Sequence, residues 1–309
     1  MFRSFGEVPV RPGGVRLSIQ THVLSDFPSN DAKASGILSS AGPSLSSTYS
    51  LVYPPYSLTQ QWGAEDTPCD LDFFASVYID ENLASWLPEF FAQMAIMQPI
   101  DAEIRGYKFP EFLGGGDPAF AIGAKRSDFD GILEVADQVF LPAGKEPSSW
   151  SGADEFERFT RSFGHTEGCF ANSEADKLVA EIPFGDDTAL IRLWADQSHP
   201  QLGNGLLVTL QIPFWNDATK PSDVAPLLNF MESRAWTETP QLGCWHTQGN
   251  DDERGVLAHT SFVPNALHQA GLVQNFALWE IGRAKWVKAQ YFPDMKDRTI
   301  SEIYRLRFG

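Results

Sequence analysis

The residues best suited to chemistry lie close together near the end of the chain. The stretch GCWHTQGNDDERGVLAH contains Cys244, His246 and His259, with an acidic cluster between the two histidines. Thiolate and imidazole groups bind zinc, and a cysteine next to a histidine can act as a nucleophile. The stretch therefore allows three interpretations: a metal site, a Cys/His catalytic pair, or an ordinary β-hairpin.

The residues between the histidines favour the hairpin. Residues 249–251 are Gly, Asn and Asp, which accept the backbone dihedral angles of tight turns. The flanking segments CWHTQ and GVLAHTSF read as strands. If the strands pair symmetrically about residues 251–252, Cys244 and His259 are near cross-strand neighbours.

Both chemical interpretations lack required groups. Zinc needs three or four ligands, and two of the three candidates sit at a spacing that rarely chelates a metal. A Cys/His pair needs a third orienting group and an exposed thiol, whereas Trp245 indicates packing. The Gly-rich segment before Lys125 also departs from a phosphate-binding loop, because Arg126 replaces the required Ser or Thr. We therefore predict a buried Cys244, and we assign no catalytic residue, metal ligand or cofactor.

Composition limits the classes of partner. The chain has 309 residues, of which 43% are hydrophobic and 20% charged, as in globular proteins. Its net charge of −17 repels phosphate, so we expect neither nucleic acid nor membrane as a partner. A basic or amphipathic protein partner fits this charge. Three widely spaced cysteines fit a reducing compartment, and the first residues lack a signal-peptide core, so a cytoplasmic location is expected.

Aromatic residues provide a further signal, in a long final helix predicted over residues 265–290. Trp279 and Trp286 are seven residues apart and share one helix face, which Phe276 joins. Such a stripe either packs against the sheet or forms an exposed apolar ridge for a partner or a second subunit. These three residues are the candidate binding residues.

The order of elements predicts an α+β fold with two related units, residues 1–145 and 151–309. Each unit is expected to form an antiparallel sheet with helices packed on one face. A Ser-rich loop near 26–47 interrupts the first unit, and a linker near 141–150 separates the two. Strands and helices at similar spacing in both units suggest an internal duplication.

Hydrophobic periodicity places the elements within each unit. The first contains strands near 15–25 and 71–79, a helix over 83–97, a short strand over 119–124 and a helix over 128–140. The second begins with a helix capped by Ser151, followed by three strands. A helix from about residue 222, with Pro226 in its first turn, then precedes the hairpin and the final helix. The last residues, YRLRFG, alternate like a strand.

The second unit resembles the class I type III secretion chaperones and their bacterial relatives. The resemblance rests on the element order from residue 151 to 293, the small size of the unit and its acidity. It implies a protein that binds extended segments of other proteins without chemistry, commonly as a dimer. Two such units in one chain would be similar to a fused dimer.

Three functions follow as expectations. The first is a non-enzymatic, chaperone-like or immunity-type module that binds a protein segment, an effector or a toxin, with a homodimer as a compatible state. The second is a hydrolase whose catalytic residues are dispersed in the sequence. The third is a structural subunit of a larger assembly. A polar pocket holding Cys244, His246 and His259 would favour the hydrolase, and an apolar groove near Trp279 and Trp286 would favour binding.

Overall fold

The computed structural model describes fourteen parts of the chain. They are residues 8–9, 15–27, 49–52, 69–79, 87–106, 154–163, 165, 168–185, 187–199, 202–213, 221–234, 240–248, 256–268 and 271–290. The Ser-rich loop after residue 27, the elements predicted at 119–124 and 128–140, the linker at 141–150 and the C-terminal strand lie outside these parts. The described residues form an α+β fold with two antiparallel sheets, which confirms the predicted fold class. The duplication stays a prediction.

Ten strands and four α-helices make up the described fold, together with one 3-10 turn. The strands are β1 Val8–Pro9, β2 Val15–Phe27, β3 Ser50–Val52, β4 Cys69–Ile79, β5 Phe170–Ser173, β6 Lys177–Phe184, β7 Asp187–His199, β8 Gly203–Pro213, β9 Cys244–Gln248 and β10 Val256–Pro264. The helices are α1 Leu87–Gly106, α2 Asp154–Phe163, α3 Pro221–Arg234 and α4 Leu272–Gln290, and the 3-10 turn is Asn265–Leu267. In the described parts, none of the helices is long and apolar enough to cross a membrane.

The first sheet has four strands in the order β1-β2-β4-β3. Its long central pair, β2 and β4, packs against α1, which buries Phe90 and Met94. The strand β3 stops at Val52, two residues before Pro54, and lies at the edge of the sheet, where proline is tolerated because it cannot donate to a neighbouring strand. Helix α1 begins at Leu87 and not at the predicted residue 83, so Pro88 falls in its first turn, where proline is tolerated because no backbone N–H is needed there.

The second sheet has six strands in the order β5-β6-β7-β8-β10-β9. Alternate residues of β6, β7 and β8 are buried beneath helices α2 and α4, which gives the predicted sheet with helices on one face. Helix α3 packs instead against β9 and β10, and against β3 and β4 of the first sheet. Helix α2 buries Phe156, Phe159 and Phe163 at helical spacing and carries acidic residues in its first turn, where the helix dipole favours them.

Three predictions about the second unit are wrong in detail. Four strands follow α2, and not the predicted three. The additional strand is β5, whose four residues are too few to give an alternating sequence pattern. Helix α3 begins at Pro221, so Pro226 lies in its second turn and not its first. The final helix begins only at Leu272, since Gly271 adopts a φ of 92° that a helix cannot accommodate.

Buried contacts join the two units. The backbone of Gln241 exchanges hydrogen bonds with that of Ser76 on β4, at 2.7 and 3.2 Å. The hydroxyl of Ser50 on β3 donates to the carbonyl oxygen of Gly243 at 2.7 Å and accepts from Nε2 of Gln241 at 3.0 Å. The segment before β9 therefore runs along the edge of the first sheet, and the two sheets meet there.

Candidate functional site

The predicted hairpin is present, but its register differs by one residue from the expected one. Strand β9 pairs with β10 so that Cys244 lies opposite Thr260 and Trp245 lies opposite His259. Partners across an antiparallel ladder share a face, and neighbours along a strand alternate. Cys244 and His246 therefore lie on one face of the sheet and His259 on the other. The expected proximity of Cys244 and His259 is wrong, and the three candidates do not share a pocket.

Cys244 is buried, as the sequence predicts. Its Sγ lies 3.5 Å from Nδ2 of Asn229, which donates to it, and 3.3 Å from the carbonyl oxygen of Trp245. Among the described residues, no three His, Cys, Asp or Glu side chains are close enough to hold a metal ion. The thiol thus contacts an amide and a carbonyl in the interior, which is the environment of a structural cysteine.

His246 is also buried. Its Nε2 lies 2.8 Å from Oγ1 of Thr260, and its Nδ1 lies 3.2 Å from the carbonyl oxygen of Thr247. Burial lowers the pKa of His246 from 6.5 to about 4; the Thr247 carbonyl opposes this shift and the nearby His259 adds to it. The imidazole is therefore neutral in the folded protein at neutral pH.

His259 belongs to a buried polar network that the sequence did not predict. Its Nδ1 lies 3.1 Å from Oε1 of Glu280, and the same oxygen accepts from Arg283 at 2.6 Å. Arg283 also donates to Oε1 of Glu232 at 2.8 Å, and Glu232 accepts from the indole of Trp245 at 3.1 Å. The four ionisable members are at least 96% buried, and the Arg283 guanidinium pairs with both carboxylates inside the protein.

The ion pairs of this network determine the direction in which each pKa is shifted. Burial alone would raise the pKa of Glu280, but the Arg283 guanidinium and His259 hold it below its ordinary value. Burial lowers the pKa of Arg283, and the two carboxylates Glu232 and Glu280 outweigh that effect, so its pKa is raised. Burial lowers the pKa of Arg16 on β2, opposed by the charge of Glu232. Glu232 thus acts electrostatically on both units.

Two members of this network, His259 and Glu280, together with Ser261 on the same strand as His259, have the residue types of a hydrolytic triad. Ser261, His259 and Glu280 supply a hydroxyl, an imidazole and a carboxylate, but Oγ of Ser261 and Nε2 of His259 are both without a hydrogen-bond partner. A nucleophile must bond to its base and reach a substrate. All three side chains are at most 2% exposed, and the ring of His259 lies against Gly243. The geometry is that of a packed interior.

The sequence contained one signal for this network. Glu280 and Arg283 are three residues apart, and both lie between Trp279 and Trp286 of the predicted aromatic stripe. Charged residues at buried helix positions must be paired. Their partners, Glu232 on α3 and His259 on β10, are distant in sequence and have no spacing that would reveal them.

The candidate binding residues lie mostly against the protein interior. Phe276 is 2% exposed and forms an edge-to-face contact with Trp279, with ring centroids 4.8 Å apart. Trp279 and Trp286 are partly buried and pack against the core, whereas the neighbouring Leu278 is 48% exposed. Phe276 is therefore a core residue, and a binding role for these aromatic residues stays a prediction.

The face of the six-stranded sheet opposite the helices is buried unevenly. Cross-strand partners form rows across this face, and burial increases along each row from β5 to β9. One row consists of exposed Phe170 and Glu181, half-buried Leu190 and Gln211, and buried Ala258 and His246. The next consists of Asn172, Val179, Arg192, Thr209, Thr260 and Cys244, with the same trend. We call the exposed β5 end of this face the open face.

The strand β5 ends the sheet beside the open face. The backbone N–H of Glu174 donates to the carbonyl oxygen of Lys177 at 2.7 Å, which fixes the hydrogen-bonded pairs between β5 and β6. Because such pairs alternate along an antiparallel ladder, Ala171 and Ser173 direct their N–H and C=O groups away from β6. In the described parts of the chain, no strand pairs with this outer edge. Phe170 is 59% exposed at its start.

The other edge of the same sheet is closed. The side-chain amide of Asn229 accepts from the backbone N–H of Trp245 at 2.8 Å and donates to its carbonyl oxygen at 3.0 Å. It therefore takes the place of a neighbouring strand along β9. The hydroxyl of Ser50 likewise donates a hydrogen bond to the carbonyl oxygen of Gly243, just before β9. One end of the sheet is thus blocked by side chains, whereas at the other end no strand of the described parts pairs with β5.

Comparison with models of known protein families, with curated protein sequences and with solved structures finds no match to this chain.

Proposed function

We propose that this chain is a non-enzymatic protein-binding module, chaperone-like or immunity-type, that takes an extended segment of another protein along the outer edge of β5. The observation that carries the proposal is the exposed Phe170 beside the outward backbone groups of Ala171 and Ser173. An extended segment that adds a strand to a sheet gains main-chain hydrogen bonds, and an adjacent apolar side chain supplies specificity.

The contrast between the two sheet edges supports this proposal. Proteins normally protect strand edges, because unpaired N–H and C=O groups recruit other chains. Here Asn229 and Ser50 protect the β9 edge, whereas the β5 edge has a large exposed aromatic residue. A cytoplasmic location, the absence of nucleic acid and membrane partners, and the resemblance to type III secretion chaperones belong to the same proposal.

Affinity purification of the tagged full chain from its native host tests the proposal. Copurifying proteins are identified by mass spectrometry for the wild type and for Phe170→Ser and Ala171→Pro. The proline removes an outward N–H that the β5–β6 ladder does not use, so the sheet is expected to remain intact. One stoichiometric partner should copurify with the wild type and be lost from both variants.

The matched control is Leu278→Ser, which removes an exposed apolar side chain from α4 beside Trp279. It should retain the partner. Loss of the partner from Leu278→Ser, with retention by Phe170→Ser and Ala171→Pro, would place binding on the final helix and overturn the assignment to β5. Light scattering of the purified wild type and Ala171→Pro decides whether a second copy is the occupant, because a β5-mediated dimer would become a monomer in the variant.

A further inference from the structure

We infer that the segment bound at β5 has a large apolar side chain and a basic side chain four residues apart, with a polar residue midway. This inference rests on the proposed function and specifies the chemistry of its ligand. It follows from the side chains that β5 presents along the open face, which are Phe170, Asn172 and, in the turn that follows, Glu174.

The geometry of a sheet makes these three residues the immediate neighbours of an added strand. All three are exposed and share one face, because their numbers differ by two. Residues directly opposite across a ladder have Cβ atoms about 4.5–5.5 Å apart and contribute most of the side-chain selectivity. An apolar residue opposite Phe170, a polar one opposite Asn172 and Lys or Arg opposite Glu174 would each find a matching partner.

The net charge of the chain favours the basic position. Two exposed acidic residues lie beside β5: Asp176 in the turn after Glu174, and Glu181 on β6 opposite Phe170. The bases on the same face, Lys177 opposite Glu174 and Arg192 on β7, are half-buried. The chain as a whole carries a net charge of −17, so an acidic segment would be repelled before and after contact.

The fixed distance between the apolar and the basic residue distinguishes this ligand from a peptide that binds an acidic surface by charge alone. A merely basic peptide would satisfy the net charge anywhere on the surface, without any preferred distance between its residues. A segment in register with β5 must place its apolar residue four positions from its basic one, because Phe170 and Glu174 are four positions apart.

Selection from a display library of random peptides, each long enough to form one strand, tests this inference on the full-length protein. The baits are the wild type, Glu174→Lys, Phe170→Ser and the control Leu278→Ser. The wild type and the control should enrich peptides with Lys or Arg four positions from a large apolar residue. Glu174→Lys should exchange the basic residue for Asp or Glu and keep the apolar one, and a wild-type-selected peptide should bind it about fivefold to tenfold more weakly.

The outcomes distinguish the inference from the proposed function. Enriched peptides that need Phe170 but show no basic residue at the fixed spacing would overturn the inference and leave the β5 site in place. Peptides that bind Phe170→Ser as well as the wild type would overturn both. Binding that depends on Glu174 without regard to spacing would reduce the site to non-specific charge attraction and also refute the inference.

Discussion

Acidification from pH 7 to pH 5 is expected to destabilise the fold through His246. The imidazole is 1% exposed, with Nε2 hydrogen-bonded to Thr260, and its pKa falls from 6.5 to about 4 because of burial. Between these two pKa values the unfolded chain binds a proton at His246 and the folded chain does not. The free energy of unfolding must therefore decrease as the pH falls through this window.

The magnitude follows from the two pKa values. At 1.36 kcal/mol per pKa unit, the whole difference is worth up to about 3 kcal/mol, reached only below pH 4. Between pH 7 and pH 5, the linkage relation gives a loss of about 2 kcal/mol from this residue. The lowered pKa of Glu280 affects stability in a separate pH range. Its contribution to the free energy of unfolding is fully present above the ordinary pKa of 4.5, and it is lost as the pH falls from there through the lower pKa of the folded state.

Urea unfolding at both pH values, for the wild type and His246→Gln, measures this contribution. Glutamine retains a polar group near Thr260 but cannot titrate. The wild type should lose about 2 kcal/mol more than the variant between pH 7 and pH 5. Parallel losses in the two proteins would refute the reasoning. A histidine NMR titration of the wild type gives an independent check, since the His246 signal should not show a midpoint above pH 5.

Three further substitutions test the buried contacts by urea unfolding. Arg283→Met should lower the free energy of unfolding by about 3–5 kcal/mol, because it leaves buried carboxylates without their cation. The control Arg161→Met breaks an exposed ion pair on α2 and should lower it by less than about 1 kcal/mol. Equal losses in the two variants would show that the buried network is not stabilising. Asn229→Leu should cost about 2–4 kcal/mol, because the N–H and C=O of Trp245 lose their partner, and an unchanged stability would mean that water replaces the amide. Gly243→Ala should cost about 1–3 kcal/mol, since the added methyl would collide with a carbonyl oxygen of β10; a neutral result would contradict the close approach of the two strands.

Local periodicity predicted most of the elements in the described parts. The alternation of apolar residues identified β6, β7 and β8, and the helical spacing of Phe156, Phe159 and Phe163 is typical of a helix such as α2, which packs on β5 and β6. Pro54 and Pro55, which follow β3, are typical of a strand at a sheet edge. Such patterns are local because each follows from the geometry of one strand or one helix.

The sites depended on information that no local pattern contains. The sequence predicted the hairpin, but a one-residue difference in register placed His259 on the face opposite Cys244. The strand β5, which presents Phe170, is too short to give a periodic signal.

By itself, the sequence determined the α+β class, the net negative charge and the burial of Cys244. The tertiary structure alone decided that Glu232, His259 and Arg283 form one network, because their elements meet only when the sheet and its helices pack. It also decided which sheet edge is closed. Asn229 reaches Trp245 through helix packing, and a strand edge is open or blocked only according to what the rest of the fold brings beside it.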